Sequence, residues 1–257
     1  MKRILTSFPL IPLGFYLIFW ADYWVLFAGV AVFAGLCYRE YCRIGVHFGG
    51  PPMSIFGLAA GLALLAVQSG EMALISAILI LAAALQMRVE PVLTALPRAA
   101  VFLFGLIYVF GSWHWALRIR SVSPYWLCFA VVLNWVSDIS AYYTGRKFGS
   151  RKLAPRVSPG KTWEGTIGSL LITTPLAVLY LNRFLPDVPL AEAIALSVAT
   201  NVIGQFGDLF ESGLKRGAGM KDSGTLLPGH GGALDRFDST LFTLPAVYTY
   251  LQYWRPI

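Results

Sequence analysis

Between Ser212 and Asp238 the chain reads SGLKRGAGMKDSGTLLPGHGGALDRFD, with three Asp, two Lys, two Arg, one His and seven Gly. Long uncharged runs flank this segment on both sides. Glycines in such number let backbone N–H groups come close to a bound anion, because no Cβ stands in the way. Cations beside carboxylates suit a ligand made of phosphates and a divalent metal. Lys215, Arg216 and Lys221 could grip a triphosphate or a lipid phosphate; the plainer alternative is a basic loop touching anionic headgroups. His230 could bind phosphate, orient a ligand carboxylate or cap the next helix. One His with scattered Asp is a poor zinc set, whereas Mg²⁺ takes one or two carboxylates plus phosphate oxygens and waters. Asp208 and Asp235, both adjoining the glycine-rich stretch, are the pair expected to hold that ion. The chemistry expected is a phosphoryl-type transfer at a membrane surface.

Two further segments carry polar chemistry. In Ser158-Pro159-Gly160-Lys161-Thr162-Trp163-Glu164-Gly165, Pro159 and Gly160 are expected to turn the chain and Lys161 to stand beside a helix N-terminus. A helix start next to a lysine is an anion site. The first glycine of a Walker A loop is missing, and an interfacial Lys–Trp anchor is the alternative. In Asp138-Ile139-Ser140-Ala141-Tyr142-Tyr143-Thr144-Gly145-Arg146, the acid and the base suit a polar pocket wall or a structural ion pair.

What must position these residues is set by composition. Of 257 residues 57% are hydrophobic and only 13% charged, and mean hydropathy is +0.65. A soluble domain is nearer one quarter charged. The reading is an all-α, polytopic integral membrane protein. Uncharged segments at 4–20, 23–38, 51–70, 72–87, 99–117, 121–137, 165–182, 193–207 and 239–254 give about nine spans. The N-terminal apolar run lacks a clean cleavage site and is read as a retained first span. With the N-terminus in the cytoplasm, 16 Lys and Arg fall on the inner side and 4 outside, a strong positive-inside bias. The net charge of +7 therefore points to cytoplasmic loops and anionic headgroups before nucleic acid. Asp138, Glu164, Asp208, Asp235 and Asp238 then reach the same inner face; Glu164 and Asp238 could equally be helix caps. Cys37, Cys42 and Cys128 have no zinc spacing and read as apolar fillers. Spans one to five (1–120) are taken as one region, and spans six to nine with their loops (121–257) as the catalytic one.

The spacing Ser212…Lys215-Arg216…Lys221-Asp222…His230-Gly231-Gly232…Asp235-Arg236-Phe237-Asp238 resembles the signature of phosphatidate cytidylyltransferases, also called CDP-diacylglycerol synthases. Asp138 through Gly149 and Lys152 through Gly165 agree with it, as do Lys2-Arg3-Ile4, Pro9 and Pro12. Two positions depart from the family pattern. Ala233 stands where a larger aliphatic residue is usual, and Gly160 where a second lysine is common.

The resemblance implies transfer of CMP from CTP to phosphatidate, giving CDP-diacylglycerol and pyrophosphate. It implies a homodimer in the cell inner membrane, with a cytoplasmic active site and Mg²⁺ alone or with a companion K⁺. It assigns the metal to Asp208 and Asp235, and catalysis to these with Lys215, Arg216, Lys221, Asp222 and His230. Substrate contacts fall to Ser158, Lys161, Arg146, Asp138, Ser212, Gly231, Gly232 and Arg236. Rival readings are a CTP-using lipid kinase, a cytidylyltransferase for an ether lipid, and a transporter. A transporter would carry ionisable residues near the middle of its spans.

Overall fold

The computed structural model describes residues 2–86, 92–226 and 231–255. Arg88, Gly229 and His230 from the sequence reading lie outside the described residues. The chain is helical nearly throughout: α1 (Lys2–Phe19), α2 (Tyr23–Gly45), α3 (Ile55–Ala66), α4 (Glu71–Gln86), α5 (Ala95–Gly105), α6 (Ser112–Val122), α7 (Pro124–Phe148), α8 (Trp163–Phe184), α9 (Leu190–Gly217) and α10 (Leu234–Trp254). A π-helical turn, Leu106–Gly111, joins α5 to α6 without a break. Polar side chains start several of these helices by taking up N–H groups that have no helical partner. Asp22 accepts from Val25, Ser54 from Gly57, Ser123 from Tyr125 and Thr162 from Gly165.

Each of the nine uncharged segments falls on a helical element in chain order. Among the described residues, four helical stretches are long and apolar enough to cross a membrane: Tyr23–Phe48, Ala95–Val122, Trp163–Phe184 and Leu190–Gly217. The third expected span is shorter than the sequence suggested. Helix α3 has 12 residues, about 18 Å at the α-helical rise, against a hydrocarbon core of about 30 Å.

Among the described residues, one hairpin interrupts the helices. Strand β1 (Lys152–Ala154) pairs antiparallel with β2 (Ser158–Thr162), Lys152 opposite Thr162 and Ala154 opposite Ser158. The turn expected at Pro159-Gly160 is therefore extended backbone, and the reversal lies earlier, across residues 155–157. Glu164 fastens the hairpin base to the end of α7. Its carboxyl accepts from Ser150 Oγ (2.7 Å) and from the N–H groups of Ser150 and Arg151.

The chain forms two compact units. The first comprises Met1–Leu17, Ala21–His114 and Leu214–Arg236; the second comprises Ile18–Trp20, Trp115–Gly213 and Phe237–Ile257. The division expected at residue 120 lies close to the break after His114. Leu214–Arg236, however, folds with the N-terminal residues rather than with the C-terminal region, because a side chain of α2 binds it, as described below. The first unit buries Tyr38, Ile44, Leu65, Leu106 and Phe110.

In the second unit α7 and α8 cross closely, because a Cβ at Gly165 would meet the carbonyl of Ala141 at 2.8 Å and one at Gly168 would meet Thr144 at 2.6 Å. Small residues at crossings are how helices pack where no hydrophobic force drives them together. Hydrogen bonds then join the helices: Ser137 to Ser169 (2.9 Å), Asn201 to Ser169 (3.1 Å) and Asn134 to Thr243 (2.9 Å). Ile167, Leu171, Leu176 and Leu179 of α8 are exposed, an apolar face of the kind that lipid covers.

Candidate functional site

In the first unit the glycine-rich segment closes around two acids of the protein itself. Asp235 lies in the first turn of α10, with its side chain 7% exposed. Lys215, in the last turn of α9, donates to Asp235 Oδ1 at 2.5 Å. The N–H of Ser223 lies 3.2 Å from Oδ1 and 3.0 Å from Oδ2, and the N–H of Gly232 donates to Oδ2 at 2.7 Å. Burial by itself would raise the Asp235 carboxyl. The hydrogen bond from Lys215, the N–H of Gly232, the lysine charge and the N–H of Ser223 outweigh it, and the pKa lies below the ordinary value.

The second acid is Glu40 of α2, only 3% exposed. It accepts from the N–H groups of Ala233 (3.0 Å) and Leu234 (2.8 Å) and from Ser223 Oγ (2.8 Å). The glycines follow from this geometry. A Cβ at Gly224 would sit 2.5 Å from Glu40, one at Gly232 would collide with Glu40 and Ser223, and one at Gly231 would collide with Asp235. Gly231 also holds φ of +80°, which L side chains rarely adopt. The glycines expected to admit a ligand thus admit carboxyl groups of the chain. Gly232→Ala should overpack this contact, by about 1–3 kcal/mol, and lower the thermal midpoint of detergent-solubilised protein. Gly160→Ala, which meets no atom within 4 Å, should leave the midpoint unchanged.

Around this core the remaining polar residues of the segment face outward. Lys221, Asp222 and Arg236 are exposed. Arg216 Nη1 donates to the carbonyl of Met220 (3.3 Å), which keeps that guanidinium close to the loop.

The second unit holds a different cluster. Lys161, at the end of β2, pairs with Asp208 Oδ2 at 2.6 Å and lies 3.5 Å from the carbonyl of Gln205. Ser212 Oγ lies 3.4 Å from Asp208 Oδ1, one helical turn further along α9. Asp208 also faces acids. Burial and the charges of Asp208, Glu211 and Asp138 together push the Asp238 carboxyl well above its ordinary range. Asp238 keeps some contact with solvent but is ringed by protein. The charges of Asp138 on α7 and of Asp208 and Glu211 on α9 thus act on Asp238 of α10, and bringing like charges together costs energy unless a cation or protons offset it. Asp238, which its sequence left open between a helix cap and a site acid, lies under the influence of these acids.

Arg146 does not reach Asp138. The two are eight residues apart on α7, about 12 Å along the axis, and Arg146 instead donates to Tyr142 at 3.4 Å. Ser158 lies within β2, partly buried.

Carboxyl groups are hard oxygen donors, the kind Mg²⁺ takes. Among the described residues, no three or more His, Cys, Asp and Glu side chains are spaced to enclose a metal by themselves. That fits an ion bound through one or two carboxylates and completed by substrate phosphates and water. Asp208 lies in the second unit; Asp235 lies in the first, where both its oxygens already accept hydrogen bonds.

The sequence matches a family model described as the cytidylyltransferase family over residues 1–254. It is similar to the phosphatidate cytidylyltransferase of Bacillus subtilis (strain 168), 41% identical over 145 residues, which are 55% of this chain and 54% of that protein. The phosphatidate cytidylyltransferase of Haemophilus influenzae is 49% identical over 123 residues, 46% of this chain and 43% of that protein. That of Staphylococcus aureus (strain COL) is 43% identical over 149 residues, 57% and 56%. The chain thus spans about half the length of the curated relatives it matches.

Proposed function

The chain belongs to the cytidylyltransferase family, and on that premise we propose that it transfers CMP from CTP to phosphatidate, giving CDP-diacylglycerol and pyrophosphate. The single observation that carries this reading is the pairing of Lys161 with Asp208 beside further acids, an arrangement that would suit a divalent cation and phosphate. The relatives named for this activity support it.

The phosphate of phosphatidate is itself the nucleophile. One of its oxygens forms a bond to the α-phosphorus of CTP while the bond to the β-phosphate oxygen breaks, and pyrophosphate leaves with that electron pair. No Ser or Cys intermediate is needed, so catalysis is positioning and charge neutralisation. Lys161, Lys215, Arg216 and Lys221 offset the charge of the triphosphate and the lipid phosphate. Lys215 is held for this by Asp235, and Lys161 by Asp208. Asp222 and His230 are assigned to substrate placement, with Ser158, Ser212, Gly231, Gly232 and Arg236 contributing contacts. Asp208 with Asp238 would hold Mg²⁺ in the second unit; Asp235, which the resemblance also assigns to the metal, is kept as a proposed metal carboxylate of the first unit. When bound, the ion, alone or with K⁺, would supply positive charge to offset the two anionic substrates and the leaving pyrophosphate.

This reading sets the chain in the cell inner membrane as a multi-pass protein with a cytoplasmic N-terminus and active site. The excess of 16 cations over 4 on the proposed inner face supports that orientation, with all nine segments crossing. A homodimer is proposed on the family resemblance, and nucleic acid has no part. Purified protein given CTP, phosphatidate and Mg²⁺ should release pyrophosphate, and EDTA should abolish the release. Equal release with EDTA present would remove the metal from the account, and no release in either condition would remove the reaction.

A further inference from the structure

We propose that Glu40 is a positioning residue for nucleotidyl transfer: from α2 it fixes Ser223 and the start of α10, and through them Asp235 and Lys215. A carboxyl group buried to 3% exposure is expensive and is kept where it has work to do. Here all of its work is on one loop. Oε1 accepts from the N–H of Ala233, and Oε2 accepts from the N–H of Leu234 and the hydroxyl of Ser223. Ala233 and Leu234 are the residues at which α10 begins, and the first N–H groups of a helix have no helical partner. Glu40 therefore fixes where α10 starts and how Asp235, one residue later, is aimed.

Ser223 makes the coupling direct. Its hydroxyl is on Glu40 and its N–H is on Asp235, whose Oδ1 also takes Lys215. The chain of contacts thus runs from Glu40 through Ser223 and Asp235 to the lysine that faces anionic substrate in the proposed reaction. Gly224 and Gly232 complete it, since a side chain at either would occupy the space of the Glu40 carboxyl. Glu40 is 183 residues from Ser223 in the chain, so nothing local explains the contact.

The kinetic part of this inference rests on the cytidylyltransferase reading; the loop contact stands apart from it. Glu40→Gln keeps the size of the side chain but turns an amide N–H₂ toward at least one of the Ala233 and Leu234 N–H groups, which can only donate. Full-length protein carrying E40Q should insert and purify as wild type does. Its kcat should fall about tenfold or more and its KM for CTP should rise. Hydrogen exchange at the Ala233 and Leu234 amides should quicken while α7 and α8 stay as protected as before. Ser223→Ala should give a smaller loss, and the double variant should lose no more than E40Q alone, because both changes cut one connection. A purely structural role would lower the amount of folded enzyme and leave KM and the selective exchange unchanged. Wild-type kcat and KM in both single variants would overturn the proposal, as would additive losses in the double variant. Should E40Q fail to accumulate, S223A decides alone: an unchanged KM for CTP is against it. Wild-type protein that forms no CDP-diacylglycerol in the same assay would count against the reaction instead, with the exchange result still reporting on the loop.

Discussion

Asp208→Asn is expected to lower turnover by two to three orders of magnitude, on the order of 3–4 kcal/mol of transition-state stabilisation, while the protein still inserts and folds. The substitution removes a negative charge from the place where the proposed ion binds, and it leaves Lys161 facing a neutral amide. Folding should be little affected because two consequences oppose each other. Lys161 loses its partner at 2.6 Å, but Asp238 loses a like-charged neighbour. Activity titrated with Mg²⁺ should show a raised requirement for the ion, with the thermal midpoint within a few degrees of wild type. Near-normal turnover at low Mg²⁺ would remove Asp208 from the metal site.

Lys215→Met should act on stability and activity together. Its partner Asp235 is 7% exposed at the side chain and Lys215 is 11% exposed, so the pair is effectively buried. Removing one member of a buried pair leaves an uncompensated charge, at a cost of about 3–5 kcal/mol. The variant should unfold at lower temperature and be inactive. Combining it with Asp235→Asn removes the stranded charge and should return part of the stability but none of the activity. Thermal unfolding and pyrophosphate release, measured on all three variants, check both halves. Recovered activity in the double variant would mean that Lys215 matters only as the partner of Asp235.

The helices were legible because long uncharged runs allow little else in a chain of this composition. The start of α8 was legible near Lys161, where the sequence places a helix N-terminus beside that lysine. The β1–β2 hairpin was not. Ser158-Pro159-Gly160-Lys161-Thr162 carries turn residues, and its extended form is set by pairing with Lys152–Ala154 and by the Glu164 lock, neither of which leaves a local pattern. The signature segment announced a polar site, but not that Gly224 and Gly232 make room for Glu40 and Gly231 for Asp235, because those contacts leave no local pattern.

Glu40 itself was missed because α2 was taken to end at residue 38, which placed it in a loop. The helix runs on to Gly45. One signal was available: a lone acid close behind a long apolar run needs a partner. Asp238 could be told from a helix cap only by seeing which acids surround it. Asp208 was assigned from its position beside the loop, and the structure adds its contacts with Lys161 and the neighbouring acids.

The claim on which the account turns is that the α-phosphorus of CTP is the atom attacked. Purified protein should be given phosphatidate, Mg²⁺ and CTP labelled in either the α- or the γ-phosphate, and the lipid product recovered. Label in the lipid from α-labelled CTP alone, with a mass increase equal to CMP, is the predicted result. Label passing to the lipid from γ-labelled CTP would contradict it and make the protein a lipid kinase.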